Sequence, residues 1–466
     1  MVISDLTNSQ KEAYKRFVNF LIDPNEKNLI IQGSAGTGKS YLTRFLIENG
    51  IKNYKSVCQT LDIPARYRNF AITATTNKAV ESLASQLDKK YANSVVTINS
   101  LLGLRVDYDY KRKMSYLTPV KESHIICNTI IFIDECSMIS KDLFGYICTL
   151  CKDCKIVFIG DKYQLPPVKE KISMIYEAGY PEITLTEPVR NAGNQALVDL
   201  CTQLKNTCET GKWHDIHSVA GSIEVIKEGT EMEKIFNSMF TNPSNDKRVL
   251  GYTNQLVSDY AQCIMELRGE SDYLQKDTWY TSNCFYKLRT TYTHSYNYEG
   301  EFFGSRADCM TLPVDAEVKI QEVKDASLED YKAFHFGKNA DLEKFLDKKM
   351  LKQLKIYSPH LGLSWWATVF ANPDYYFQYS KFIQKASPIL YRAFKEEVLD
   401  LRRCESSTVH KAQGSTLDTV LIDLYDISTC KQKDLTAKLL YVAASRAKNK
   451  VIFYGDLNKR YGISVA

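Results

Sequence analysis

The sequence predicts an α/β protein with two parallel-sheet cores, the second carrying an inserted accessory module. Short apolar runs recur, each followed by a loop and a helical pattern, which is how strands buried on both faces read. The first set is NLIIQG at 28–33, FAITAT at 70–75, TIIFID at 129–134 and KIVFIGD at 155–161. The second set is RVLGYTN at 248–254, TVLIDL at 419–424 and KVIFYGD at 450–456. Strand–loop–helix alternation implies parallel sheets. A long middle region of different character separates the two sets, so two cores are expected rather than one.

Composition agrees with a large globular chain. At about 150 residues per domain, 466 residues suggest roughly three domains. Hydrophobic residues make up 44% and charged residues 25%, which excludes a disordered or fibrous chain. Lys plus Arg number 60 against 55 Asp plus Glu, a net +5 that permits an anionic partner without arguing for one. The 13 cysteines are scattered without the spacing of a disulfide framework, pointing to a reducing compartment. No apolar run reaches bilayer length, and the N-terminus MVISDLTNSQKEAYKRF has no apolar signal core. A cytoplasmic, soluble protein with no membrane contact is expected.

The chain divides into a first core at 1–200, the start of a second core at 201–264, an accessory module at 265–400 and the rest of the second core at 401–466. Residues 277–304, rich in Tyr and Thr, suggest strands and turns. LEKFLDKKMLKQLK at 342–355 and YFQYSKFIQK at 376–385 read as helices. Within the first core, 104–120 alternates Tyr and polar residues around KRK and suggests a hairpin.

Gly33, Ser34, Ala35, Gly36, Thr37, Gly38, Lys39 and Ser40 fit the phosphate-loop pattern G-x-x-x-x-G-K-[ST]. They lie between an apolar strand and a helical segment, as that loop requires. Glycines let backbone N–H groups curl around phosphates, Lys39 reaches the outer phosphates, and Ser40 can ligate Mg²⁺. Downstream, an apolar strand ends in Asp134 and Glu135. Asp134 is placed to hold the Mg²⁺ shell, and Glu135 to orient or deprotonate an attacking water. The next strand exits into GDKYQLPP, where Gln164 can read a γ-phosphate. These residues imply ATP hydrolysis with Mg²⁺ as the metal.

Taken in order, these motifs resemble those of superfamily 1 helicases of the B subgroup, the RecD-like group. The resemblance covers 1–200, 245–265 and 400–456, and implies that both cores are RecA-like. It implies roles residue by residue. Gln10 stands where the family places its adenine-reading glutamine. Thr75, Asn77 and Lys78 in ATTNKA, and Thr97, Asn99 and Ser100 in TINSL, match segments that touch the nucleic-acid backbone. The family commonly has His where this chain has Asn99, and Asn retains hydrogen bonding to a phosphate. Arg190 in LTEPVR matches an arginine that contacts the γ-phosphate. Thr253 and Asn254 in YTN, and Thr408, His410 and Gln413 in STVHKAQGS, match segments that hold the strand and couple it to the nucleotide. Arg446 in LYVAASRAK is the expected arginine finger.

The resemblance implies a DNA helicase moving 5′→3′ on single strands. Its expected partners are single-stranded DNA and fork duplex, with proteins of replication or recombination as candidates. It also suggests a monomer, placed in the host cytoplasm if the source is viral. Two other functions fit the same cores: an RNA helicase or ribonucleoprotein remodeller, and a non-unwinding ATP switch or loader. The hairpin at 104–120 is the candidate wedge, with Tyr108, Tyr110 and Tyr116 to stack on the junction and Lys111, Arg112 and Lys113 to meet phosphates. Trp365 and Trp366 could pack a small core or touch DNA, and core packing is favoured because Trp is usually mostly buried. Cys148, Cys151 and Cys154 contain a C-x₂-C pair, but a structural zinc site wants four ligands. Their spacing by three is read instead as packed thiols on one helix face. Cys136 has no evident base to make it a nucleophile.

Overall fold

The computed structural model describes residues 3–67, 69–92, 94–109, 114–120, 125–167, 170–189, 193–296, 302–327, 348–359 and 361–465. The chain forms two compact units. One comprises Met1–Met232, Leu250–Asn254 and Thr408–Ala466, and the other Glu233–Val249 and Gln255–Ser407.

The first unit holds a six-stranded sheet, ordered Glu182–Leu185, Asn28–Gly33, Lys155–Gly160, Thr129–Asp134, Asn69–Ala74 and Val96–Thr97. Every pairing is parallel. The apolar runs are continuous because both faces of this sheet are covered. Ile130 and Phe132 pack into one cluster with Phe17, Phe45 and Leu83. Their neighbours Ile131 and Ile133 pack into another, with Ile98, Leu143 and Ile147. Successive strand residues point to opposite faces, so one run feeds two cores.

The same unit contains a second parallel sheet of Ile223–Ile226, Ala447–Tyr454 and Leu417–Asp423. Its cluster includes Val420, Ile422, Val451 and Phe453, with Leu197, Leu200 and Leu204 of the helix Gln195–Thr210. Leu439, Leu440 and Tyr441 of the helix Lys433–Ala444 join it. Tyr163 and Leu165, from the loop after the first core's strand Lys155–Gly160, also pack here. The segment 104–120 is a hairpin, Leu104–Asp109 antiparallel to Met114–Pro119.

The second unit carries an antiparallel five-stranded sheet, ordered Leu363–Phe370, Leu351–Ser358, Glu317–Asp325, Trp279–Ser282 and Leu401–Arg403. A long hairpin pairs Tyr286–Tyr296 with Phe302–Leu312. The helices Pro373–Ala386 and Pro388–Glu397 build a smaller cluster around Phe370, Tyr379 and Phe394. The expected helix at 376–385 is therefore present.

Three expectations are corrected here. Residues 351–355 form part of the strand Leu351–Ser358, not a helix; 342–347 lie outside the described residues. Leu351 and Leu354 mimic helical spacing, yet an odd separation in a strand sends them to opposite faces. Leu351 packs with Phe370 and Ile383, and Leu354 with Val318 and Ile356. The helix Lys141–Leu150 ends before two of the three cysteines. Cys148 is exposed on the helix, Cys151 opens the short strand Cys151–Lys152, and buried Cys154 lies beyond it, donating to the Ile126 carbonyl at 3.3 Å. The two tryptophans also part company. Trp365 packs against the sheet's core, while Trp366 is 45% exposed with Lys324 Nζ 4.4 Å from its ring centre. Adjacent strand residues cannot share a face. Among the described residues, no helix is long and apolar enough to cross a membrane.

Candidate nucleotide and nucleic-acid site

In a parallel sheet all strand ends of one kind lie on one edge, and ligand loops gather at the carboxyl edge. The strands ending at Gly33, Ala74, Asp134 and Gly160 deliver their loops to that edge. After Gly33 the chain turns into the helix Lys39–Phe45, with Gly38 as its N-cap at φ +74°. A Cβ at Gly38 would also meet Gln10 Nε2 at 2.6 Å, and one at Gly33 would meet Thr37 Oγ1 at 2.5 Å. Glycine is required at both places. Lys39 Nζ donates to the carbonyls of Gly33 (2.8 Å) and Ser34 (3.1 Å), which hold the ammonium over the loop.

Asp134 and Glu135 follow at the tip of Thr129–Asp134. Asp134 Oδ1 accepts the Glu135 N–H at 2.9 Å. Burial, reinforced by the neighbouring Glu135 charge, pushes the Asp134 carboxyl up to about 7. Glu135 is in the left-handed region at φ +53°, and its buried Oε2 has no hydrogen-bond partner among the described residues. Thr75 Oγ1 donates to the Glu135 carbonyl at 3.0 Å, fixing this turn from the neighbouring strand. Cys136 is buried with its Sγ 3.4 Å from Tyr176 Oη. Burial pushes its thiol up to about 12, so it is no nucleophile.

The second core faces this edge. Arg446 is buried, and Nε donates to the Val442 carbonyl (3.1 Å), Nη1 to that of Ser415 (3.3 Å) and Nη2 to Ser445 Oγ (2.9 Å). Gln413 Nε2 donates to Gln164 Oε1 at 2.9 Å. One cavity of about 250 Å³ is lined by Ala35, Gly36, Gly38, Lys39 and Ser40 of the loop. Asp134, Glu135 and Gln164 line it as well, with Gly414 and Arg446 from the second core. The cavity thus brings together Lys39, Ser40, Asp134, Glu135, Gln164 and Arg446 of the candidate residues.

Gln10 is placed differently from a free base-reading side chain. It is buried, and its Oε1 accepts the Thr7 N–H (3.1 Å) while Thr7 Oγ1 accepts the Gln10 N–H (3.3 Å), forming a capping box. Its Nε2 donates to the Thr37 carbonyl at 3.1 Å, tying the first helix to the phosphate loop. Glu187 accepts from Thr7 Oγ1 (3.2 Å) and from the N–H and hydroxyl of Ser9. These donors, the Ser9 hydroxyl first, hold the Glu187 carboxyl below its ordinary value. The Val189 N–H donates to the Gly36 carbonyl at 2.7 Å. Arg190 lies outside the described residues.

The strand-tracking candidates sit at loop and helix starts. Asn77 and Lys78 open the helix Asn77–Gln86, which Thr76 caps. Thr97 caps the short helix Ile98–Leu101 by accepting the Ser100 N–H at 3.1 Å. Asn99 Oδ1 is buried and has no partner among the described residues. Thr253 Oγ1 donates to Asp426 Oδ1 at 2.6 Å, so this hydroxyl is committed within the protein, whereas Asn254 is exposed. Buried Thr408 caps Val409–Ala412. His410 follows it, held below its ordinary value by burial and therefore neutral near pH 7. Its ring centre lies 6.3 Å from that of Tyr252. In the hairpin, Tyr116 is 42% exposed. Tyr110, Lys111, Arg112, Lys113 and the side chain of Tyr108 lie outside the described residues.

Sequence reasoning assigned no role to Asp161, Tyr441 or Glu187. All three lie inside segments quoted for other residues, GDKYQLPP, LYVAASRAK and LTEPVR. An acid at the end of an apolar strand, three positions before a site glutamine, was the available signal for Asp161.

Two parallel-sheet lobes, a phosphate loop and an arginine from the second lobe lining one cavity define a P-loop nucleotide hydrolase. A family model described as an AAA domain matches residues 20–170, and one described as a UvrD-like helicase C-terminal domain matches 404–454. In these matches and in its ordered motifs the chain resembles the superfamily 1 helicases of the RecD-like B subgroup. It is 24% identical to the ATP-dependent DNA helicase dda of Enterobacteria phage T4, over 97% of this chain and 100% of that one. The RecBCD enzyme subunit RecD of Buchnera aphidicola is 29% identical over 39% of this chain and 30% of its own. The solved Pif1 helicase from Candida albicans aligns at 17% identity and a TM-score of 0.48, covering 100% of this chain and 97% of that one.

Proposed function

We propose that this protein is an ATP-dependent DNA helicase that moves 5′→3′ along single-stranded DNA and separates duplex ahead of it. The observation that carries the reading is the shared cavity lined by Lys39, Asp134, Glu135 and Gln164 from one lobe and Arg446 from the other. A guanidinium supplied across such a cleft completes the charge-stabilising shell of a transferring phosphoryl group, worth on the order of 10³–10⁵ in rate.

ATP phosphates rest against the N–H groups of the loop around Gly36, Thr37 and Gly38. Lys39 exchanges its two carbonyl acceptors for the outer phosphates. Glu135, with an unpartnered oxygen at the cavity, orients the attacking water and takes its proton. Gln164 and Arg446 meet the γ-phosphate, as does Arg190 by the family resemblance, and Gln10 and Gln413 support the nucleotide through the loop and through Gln164. The oxygen donors Ser40 and Asp134, both lining the cavity, suit Mg²⁺. That ion, when bound, neutralises phosphate charge.

Closure of the lobes on ATP and opening after hydrolysis form a hinge cycle biased by the γ-phosphate. Thr75, Asn77, Lys78, Thr97, Asn99 and Ser100 grip the strand from one lobe. Asn254, Thr408 and His410 grip it from the other, with Thr253 anchored behind them on Asp426. Alternating grip makes the cycle directional. The protein works as a monomer in the cytoplasm, of the host if it is viral, with fork duplex as the second partner and the hairpin at 104–120 as wedge.

Strand displacement on 5′- and 3′-tailed duplexes of DNA and RNA tests this. Only 5′-tailed DNA should be unwound. Unwinding of RNA would shift the function to ribonucleoprotein remodelling, and strand-stimulated ATPase without unwinding would make the protein a switch or loader. Lys39→Ala and Glu135→Gln should each abolish turnover.

A further inference from the structure

The loop leaving Lys155–Gly160 is held by the second core at two points. Gln413 takes Gln164, and Tyr441 Oη donates to Oδ2 of Asp161 at 2.6 Å. The same phenol oxygen accepts the Ala35 N–H of the phosphate loop at 2.9 Å. Asp161 is fully buried, and its other oxygen accepts the Tyr163 N–H at 3.0 Å. Donor and acceptor senses match throughout. A phenol has one proton, given to the carboxylate, and its lone pairs remain for the N–H. Burial, then the Asp161 charge, drives the Tyr441 hydroxyl well above its ordinary value, so it stays a donor.

Tyr441 is also rigidly joined to Arg446. It belongs to the buried helix Lys433–Ala444, and Arg446 Nε is bonded to the carbonyl of Val442, the next residue. One side chain thus fixes the finger's helix against the loop that takes the phosphates. We infer, on the nucleotide-hydrolysing reading of the cleft, that Tyr441 is a positioning residue for ATP hydrolysis. Through Asp161 and the Ala35 N–H it sets the register between the phosphate loop and Arg446. Removal of its hydroxyl leaves a buried carboxylate with one donor fewer and a loop N–H without its partner. A displacement of about 1 Å at such a site can cost 10²-fold in rate.

The test is steady-state hydrolysis without DNA for the wild type, Tyr441→Phe, Asp161→Asn and the double variant, with melting temperatures alongside. Phenylalanine keeps the ring's packing, and asparagine cannot accept from both Tyr441 and the Tyr163 N–H. Tyr441→Phe should lose tenfold or more in kcat with KM for ATP within threefold. The double variant should be no slower than the slower single, because the residues act as one unit. A kcat within twofold of wild type for either folded single variant, or losses that multiply in the double, overturns the role of Tyr441. DNA stimulation of the wild type is measured separately. Its absence would count against the helicase reading and leave the comparison of these variants intact.

Discussion

The carboxamide of Gln413 donates to that of Gln164 across 2.9 Å, joining a second-core loop to the loop leaving a first-core strand. Both residues are buried, and Gln164 lines the nucleotide cavity whereas its partner stands behind it. An amide whose oxygen is occupied from behind presents its N–H group forward. Gln413→Ala should therefore lower kcat about tenfold while leaving KM for ATP within threefold, the pattern of an interaction realised in the transition state. A raised KM with unchanged kcat would place Gln413 in ground-state nucleotide binding instead.

Asp134 makes stability depend on pH. Its carboxyl is raised to about 7, so the folded protein binds this proton more tightly than the unfolded chain does. Its favourable contribution is fully present below the unfolded value of about 4 and is lost as pH rises toward 7. Above that range the buried charge opposes folding. Asp134→Asn removes the charge. Without divalent cations at pH 8 it should melt higher than wild type by roughly 2 °C or more, with the gap closing toward pH 4. It should be inactive throughout. Thermal melts across pH check the sign, and an Asn variant less stable at pH 8 would refute the burial account.

The parallel cores were legible because strands such as Thr129–Asp134 must be apolar on both faces, and runs this short with loops on either side suit a buried strand better than a buried helix. The cavity residues were legible because phosphate chemistry fixes residue types at strand ends. Less visible was what depends on partners distant in sequence. Leu351 and Leu354 carry helical spacing but serve two clusters on opposite faces of a sheet. Tyr441 looks like any helical aromatic until Asp161 and Ala35 are brought to it. The strands Glu182–Leu185 and Ile223–Ile226 escaped notice, for EITL and IEVI are short, carry an acid each and lie at sheet edges.

Lys155 opens KIVFIGD and reads as a solvated strand end, yet only 1% of it is exposed. Its ammonium donates to the carbonyls of Phe20, Asp23 and Glu26, where the helix Asn8–Ile22 ends and leaves acceptors unpaired. Burial lowers its value to about 8. Lys155→Met fills the space but strands those carbonyls. The loss should be about 2–4 kcal/mol, because the desolvation of the buried ammonium offsets part of three charged hydrogen bonds worth roughly 1.5–3 each. Urea unfolding measures it. A change under 0.5 kcal/mol would mean that water replaces the ammonium.

The tryptophan pair separates packing from surface in one experiment. Trp365 stands opposite Ile356 in register and packs on the core, whereas Trp366 stands opposite Lys355 on the other face. Trp365→Ala should destabilise the second unit by about 2 kcal/mol, below the 3–5 of a fully buried aromatic because this ring is only partly buried. Trp366→Ala should stay within about 0.5 kcal/mol, since it forfeits only a contact with Lys324. Equal losses from the two would show that the outer face of this sheet is covered in solution. A fall in single-strand affinity for Trp366→Ala alone, measured by fluorescence anisotropy, would place DNA on that face and give the accessory module a role in gripping the strand.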